Sequence, residues 1–257
     1  MCGGLKGQVI LNKKSWFSYQ DMVIHENEGP ISTIAFAYPF VAWCNEYGTK
    51  VYNVEQESSV TYVPKPEDVP STNEIKPKLW ARGARVRRRC WYGNSRLVIG
   101  WGEVLTSVQL NFKSPATGNR IWFGEQGAVF RVGFWINGVA IFDADRVSLL
   151  AYNKAEGVEP PSIHVVSLRS GESESEECLP IRDFETLAPA DYQFEWDATA
   201  PSSAPQPVFL LAPRMIVRVT PRSQQDLIDW AVAQHDFPAA IAIAERSPEF
   251  SAPYRQA

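Results

Sequence analysis

At 257 residues, 45% hydrophobic and 12% aromatic, the chain falls outside the disordered and fibrous classes and has enough apolar bulk for a sizeable core. A formal net charge of −4 gives it no general affinity for nucleic acid. Its four cysteines (Cys2, Cys44, Cys90 and Cys178) form no CxxC pair, which argues against a zinc site and against a dense disulfide framework.

The first ten residues (MCGGLKGQVI) lack the apolar stretch of a secretion signal, and no run of about 18 apolar residues is present to cross a membrane. A reduced, cytosolic protein is the expectation. Residues 3–11 read as the middle of a hairpin, and the block around His25 reads as a strand end and turn. Short runs rich in Val, Ile, Phe and Trp follow, bounded by turn residues: 31–37 (ISTIAFA), 40–44 (FVAWC), 49–54 (TKVYNV) and 59–63 (SVTYV). Four strands with tight connections predict an antiparallel meander, the form of a propeller blade.

Residues 64–78 (PKPEDVPSTNEIKPK) are polar and Pro-rich, and predict a surface loop. The strand pattern then restarts at 86–92, 97–101, 104–112 and 121–123. A third set is expected over 129–136, 139–143, 147–152 and 163–168, and a fourth over 192–196, 208–211 and 215–219. The spacing, roughly 45 to 60 residues per set with loops, fits propeller blades carrying insertions. Residues 170–178 (SGESESEEC) and 198–207 (ATAPSSAPQP) are expected to be loops.

Near the end the period changes. Ser223 is a candidate N-cap with Asp226 three positions on, and Leu227, Trp230 and Ala231 fall on one helical face. Pro238 suits the first turn of a second helix, in which Phe237, Ala240, Ile241 and Ala244 recur at helical spacing. The fold class expected is mainly β: a partial, open, WD40-like β-propeller of about three to four blades over residues 1–222. The start of an α-solenoid follows over 223–257. With no strands ahead of the first hairpin and one helical pair at the end, these residues are expected to be a fragment of a larger architecture.

Several blocks resemble one family in order. They are Ser15-Trp16, His25-Glu26-Asn27-Glu28-Gly29-Pro30-Ile31, Val41-Ala42-Trp43-Cys44-Asn45, Gly48-Thr49-Lys50-Val51-Tyr52 and Leu97-Val98-Ile99-Gly100-Trp101-Gly102. The helical tail adds Asp226-Leu227-Ile228-Asp229-Trp230, Asp236-Phe237-Pro238-Ala239-Ala240-Ile241 and Ala244-Glu245. Together they are similar to the vacuolar protein sorting-associated protein 41 family. The resemblance implies a subunit of the homotypic fusion and protein sorting (HOPS) tethering complex, with a propeller, a long α-solenoid and a RING-type zinc module. It implies other HOPS subunits, a Rab-type small GTPase and an adaptor complex as partners, and a peripheral location on the late endosome, lysosome or vacuole. The early blades, most of the solenoid and the RING module of that pattern have no counterpart in these residues.

No chemistry-bearing motif competes with the scaffold reading. There is no GxSxG elbow, GxxxxGK[ST] loop or HExxH helix, so no catalytic residue, cofactor or metal ligand is assigned, and the chain is not expected to be an enzyme. His25, His164 and His235 lie apart with no ligand at metal spacing, and Asp143 and Asp145 suit a turn. The arginines Arg82, Arg85, Arg87, Arg88 and Arg89 read as a solvated edge strand, with an acidic partner or anionic membrane as the alternative. Glu172, Glu174, Glu176 and Glu177 read as a solvated loop in which Ser173 and Ser175 are candidate kinase targets. Trp16, Trp43, Trp91, Trp101 and Trp135 are expected to be core. Partner-binding residues are not identifiable. Another propeller–solenoid trafficking scaffold, a propeller-fold enzyme, or an inactive truncated gene product are the rival readings.

Overall fold

The computed structural model describes residues 2–14, 18–82, 85–87, 90–92, 95–114, 120–153, 159–196 and 207–246. The described chain is mainly β. Strands β1 (Cys2–Gly3), β2 (Val9–Lys14) and β3 (Tyr19–His25) form a three-stranded antiparallel sheet. Next comes a four-stranded meander of β4 (Thr33–Ala37), β5 (Phe40–Asn45), β6 (Gly48–Asn53) and β7 (Ser58–Pro64). The second four-stranded blade is built from β8 (Lys78–Arg82), β11 (Ser95–Trp101), β12 (Val104–Lys113) and β13 (Ile121–Arg131). A two-stranded hairpin, β9 (Arg85–Arg87) and β10 (Cys90–Tyr92), is inserted between β8 and β11. The third blade holds β14 (Trp135–Ile141), β15 (Arg146–Tyr152), β16 (Ser162–Ser167) and β17 (Ser173–Cys178). A last sheet contains β18 (Gln193–Trp196), β19 (Val208–Ala212) and β20 (Met215–Val219).

The sheets pack in chain order as an open, partial propeller. The first strands of successive sheets, β4, β8, β14 and β18, lie side by side along its inner face. Strand periodicity explains why the central strands read as unbroken apolar runs. In β5, Phe40 and Ala42 point into a cluster shared with Leu97, Ile99, Val108 and Trp122 of the second blade. Val41 and Trp43 point the other way, to Val9 and Leu11 of the first sheet. In β11, Leu97 and Ile99 face the first blade, while Val98 joins Ile136, Val147 and Leu149 of the third. Ala140, Leu150 and Ile163 then meet Leu179 and Tyr192 of the connecting segment and Val208 and Leu210 of the last sheet. A middle blade has neighbours on both faces, so both side-chain sets of its strands must be apolar.

Turns are held by short polar side chains. Asn45 Oδ1 accepts from the backbone N–H groups of Tyr47 and Gly48 at 3.0 and 3.2 Å, closing the β5–β6 turn. Asp143 Oδ1 does the same for Asp145 and Arg146 at 3.0 and 2.9 Å between β14 and β15, the turn role its sequence position suggests.

Two helices end the described chain, α1 (Gln224–Ala233) and α2 (Phe237–Arg246). Ser223 Oγ accepts from the Asp226 N–H at 3.0 Å, and Asp226 returns a carboxylate to the Ser223 N–H at 2.8 Å, a reciprocal cap. Pro238 stands in the first turn of α2. Ala231 and Ala240 are buried, one in each helix.

Several expectations need correction. Residues 86–92 are not one strand: the chain reverses between β9 and β10. Residues 129–136 divide between β13 and β14; 139–141 belong to β14, which runs unbroken through Asn137-Gly138 with a bulge, and 142–143 lie in the turn after it. The acidic residues 173–178 are a strand, the outermost of the third blade, exposed on both faces and therefore free to be charged. Of the segment 64–78, Pro64 ends β7 and Lys78 begins β8; the connection between them, 65–77, is ordered by other residues. Thr72 donates from N and Oγ1 to Glu46 at 2.9 and 2.7 Å, Lys65 ion-pairs with Glu46, and Ile75 is buried.

Candidate interaction surface

The inner strands β4, β8, β14 and β18 are each hydrogen-bonded on one side only, because each ends its sheet. Their free edges converge on a cleft of about 450 Å³. Its walls mix apolar side chains (Ile34, Phe36, Leu79, Val139, Phe194 and Trp196) with polar groups; Gln193 and Glu195 are exposed at its margin. Lys78 is the cationic residue that lines it. Burial holds the Lys78 ammonium below the usual lysine range, and the nearby Lys76 charge adds to this. Among the described residues no carboxylate is paired with Lys78. Asn137, 1% exposed, gives its Nδ2 to the Pro189 carbonyl at 2.9 Å and leaves Oδ1 without a donor.

Close approach of the blades shapes this face. A methyl group on Gly138 would lie 2.5 Å from Cβ of Phe194, so only hydrogen fits where β14 meets β18. Gly100 plays the same part where β11 meets Ile136 of β14.

The sequence singled out other residues, and the structure scatters them. Arg85 and Arg87 lie on the short strand β9, while Arg88 and Arg89 fall outside the described residues. Glu174, Glu176 and Glu177, with Ser173 and Ser175, lie on the outer edge of the third blade. Glu174 pairs there with Arg146 at 3.1 Å. His164 is buried against Phe134, its rings 4.2 Å apart, with Ser162 and Ser173 on its two nitrogens at 3.0 and 3.2 Å. Burial holds its pKa down, and Glu176 opposes this. His25 packs on Trp43 in a different sheet pair. Among the described residues, no group of three His, Cys, Asp or Glu side chains could hold a metal. Cys44 is buried, its thiol pushed up to about 12 by burial, whereas Cys178 is exposed.

Trp43 and Trp101 are core, as expected, and Trp135 is half-buried; Trp16 lies outside the described residues. Trp80 and Trp122 are core residues that the sequence reading passed over. Lys78 was also missed. Its one signal was a lysine at the junction of a Pro-rich segment and the apolar triplet Leu79-Trp80-Ala81.

Residues 1–220 match the family model Beta-prop_Vps41, described as a Vps42 beta-propeller. The chain is 28% identical to the vacuolar protein sorting-associated protein 41 homolog of Arabidopsis thaliana, covering 96% of this chain and 27% of that protein. It is 26% identical to the human homolog, covering 95% of this chain and 28% of that protein. With the Schizosaccharomyces pombe protein it shares 23% identity over 97% of this chain and 28% of that protein. The chain thus spans little more than a quarter of these relatives. Among solved structures, the WD40 domain of SCAP from fission yeast has a TM-score of 0.48 at 13% identity, covering 84% of this chain and 49% of that one.

Proposed function

The chain belongs to the Vps41 β-propeller family, and on that premise we propose that it is a non-enzymatic scaffold of a HOPS-like tethering complex in vacuolar protein sorting. The observation that carries this reading is the family match across every blade, residues 1–220. The architecture fits such a role: stacked blades offer edges and loops to partners, and a pair of helices follows them. We divide the chain into a propeller unit, 1–222, and a solenoid start, 223–257.

In this reading the chain acts in endosome- or vesicle-to-lysosome or vacuole transport and fusion, through surface complementarity rather than bond-making. Other HOPS subunits and a Rab-type small GTPase are its partners, with an adaptor complex as a further one. It associates with the late endosomal, lysosomal or vacuolar membrane peripherally, through those partners. No helix among the described residues is long and apolar enough to cross a membrane.

The test is affinity purification of the tagged chain from yeast cells lacking their own Vps41, followed by mass spectrometry. Recovery of HOPS subunits above an untagged control is the expected result. Recovery of coat subunits without any HOPS subunit would overturn the assignment.

A further inference from the structure

The inner cleft joins three features that call for the same occupant. Apolar side chains stand in its walls among polar ones, its rim exposes the edges of strands that end their sheets, and it contains a partly buried lysine with no paired acid among the described residues. An ammonium taken out of water without a counter-ion is costly, and a carboxylate arriving from outside removes that cost. Free strand edges accept an extended chain, whose backbone supplies matching N–H and C=O groups and whose alternate side chains enter pockets. Asn137 adds a buried oxygen without a donor at the same wall.

We propose that this cleft seats an extended segment of a partner protein, which brings one aspartate or glutamate to Lys78 and apolar side chains to Ile34, Leu79, Phe194 and Trp196. Charge selects this occupant over a polyanion. Phosphate groups are held by several cations or a forked arginine, whereas here Lys78 is the one cationic residue of a lining that also contains Glu195. Ile34, Leu79, Phe194 and Trp196 in the lining, and the Glu195 carboxylate, select against a purely acidic tract. The inference goes beyond membership of a tethering complex, because it names the chemistry the propeller's inner face recognises.

The experiment pans a phage-displayed library of random heptapeptides against the immobilised full chain and against its Lys78→Met variant. Met retains the stem of the side chain and removes the charge. Enriched peptides are synthesised with a fluorescent label and titrated by anisotropy. The expected outcome is an enriched set with Asp or Glu flanked by apolar residues. Their affinity should fall at least about tenfold on Lys78→Met, and equally on Glu→Gln within the peptide. Lys78→Met should melt no lower than the parent chain, since it removes a desolvated charge, so lost binding could not be ascribed to misfolding. No enriched acidic position, or equal binding to both proteins, overturns the proposal. Loss of HOPS subunits in affinity purification with Lys78-dependent peptide binding intact would overturn only the complex assignment.

Discussion

Replacing Gly138 with alanine tests whether blade spacing is set by the absence of one side chain. The added methyl would sit 2.5 Å from Cβ and 2.6 Å from Cγ of Phe194, about 1 Å inside ordinary contact. Phe194 cannot relieve this by rotating, because its Cβ is fixed to the backbone of β18. Either β18 moves away from β14 or the bulge at Ile136–Gly138 deforms, and both disturb the buried cluster of Ala140, Leu150, Tyr192 and Leu210. Overpacking of this kind costs about 1–3 kcal/mol. The lower conformational entropy of alanine in the unfolded chain returns about 0.4–1 kcal/mol. The net expectation is a loss of about 1–2 kcal/mol, a fall in Tm of about 2–8 °C for a domain of this size. Urea unfolding followed by tryptophan fluorescence should show a lower midpoint at unchanged slope. Pairing Gly138→Ala with Phe194→Gly, which removes the Cβ it meets, should cost less than the sum of the two single changes. An unchanged or raised midpoint for Gly138→Ala, or strict additivity in the pair, would refute the spacing argument.

Three further perturbations probe other parts of the molecule. Trp101→Phe removes the indole N–H that donates to the Pro70 carbonyl at 3.1 Å, and should cost about 1–2 kcal/mol. Limited proteolysis should then cut the 64–77 connection faster, because that bond ties it to the core. Acid should destabilise the fold: burial holds the folded-state pKa of both His25 and His164 below 6.5. The unfolded chain therefore binds more protons in the window beneath that value, so stability is complete above about pH 6.5 and is lost as pH falls through it. Denaturant midpoints measured across this range should flatten for His164→Gln if His164 carries its share. Ser223→Ala removes the Oγ that accepts from the Asp226 N–H, one of the two hydrogen bonds of the α1 cap, and should raise amide exchange in residues 224–233 while the β-sheet amides stay protected.

The strands easiest to read from sequence were those whose burial leaves least choice. Phe40-Val41-Ala42-Trp43 and Leu97-Val98-Ile99 are apolar at every position because each strand serves two interfaces, and no loop or surface strand would tolerate such a run. Legibility failed where local chemistry and tertiary role diverge. Asn137-Gly138 divides two apolar stretches as a turn would, yet it lies within β14. The glycine admits Phe194, and the asparagine reaches Pro189. Ser173 to Cys178 has five polar or charged residues and one cysteine, a composition no buried strand would carry, but an outermost strand has no face to bury. β8 hid between a Pro-rich segment and an arginine cluster, with Trp80 as its one large aromatic.

The cleft was illegible for a different reason. Its lining comes from four stretches, 33–36, 78–81, 137–139 and 192–196, separated by dozens of residues and containing no shared motif. What unites them is position: each is the first strand of its sheet, and a propeller turns every first strand toward its inner face. Repeat geometry therefore gathers residues that sequence periodicity cannot connect. The same geometry explains why a lysine can survive there. Between the inner strands a cavity of mixed lining remains, so Lys78 can be half-buried there instead of being excluded. The charge of a lysine held this way gains no ion pair among the described residues, and Lys76 repels it. Folding alone would be served better by an apolar side chain at position 78, which is the physical ground for seeking the purpose of Lys78 in what the cleft binds.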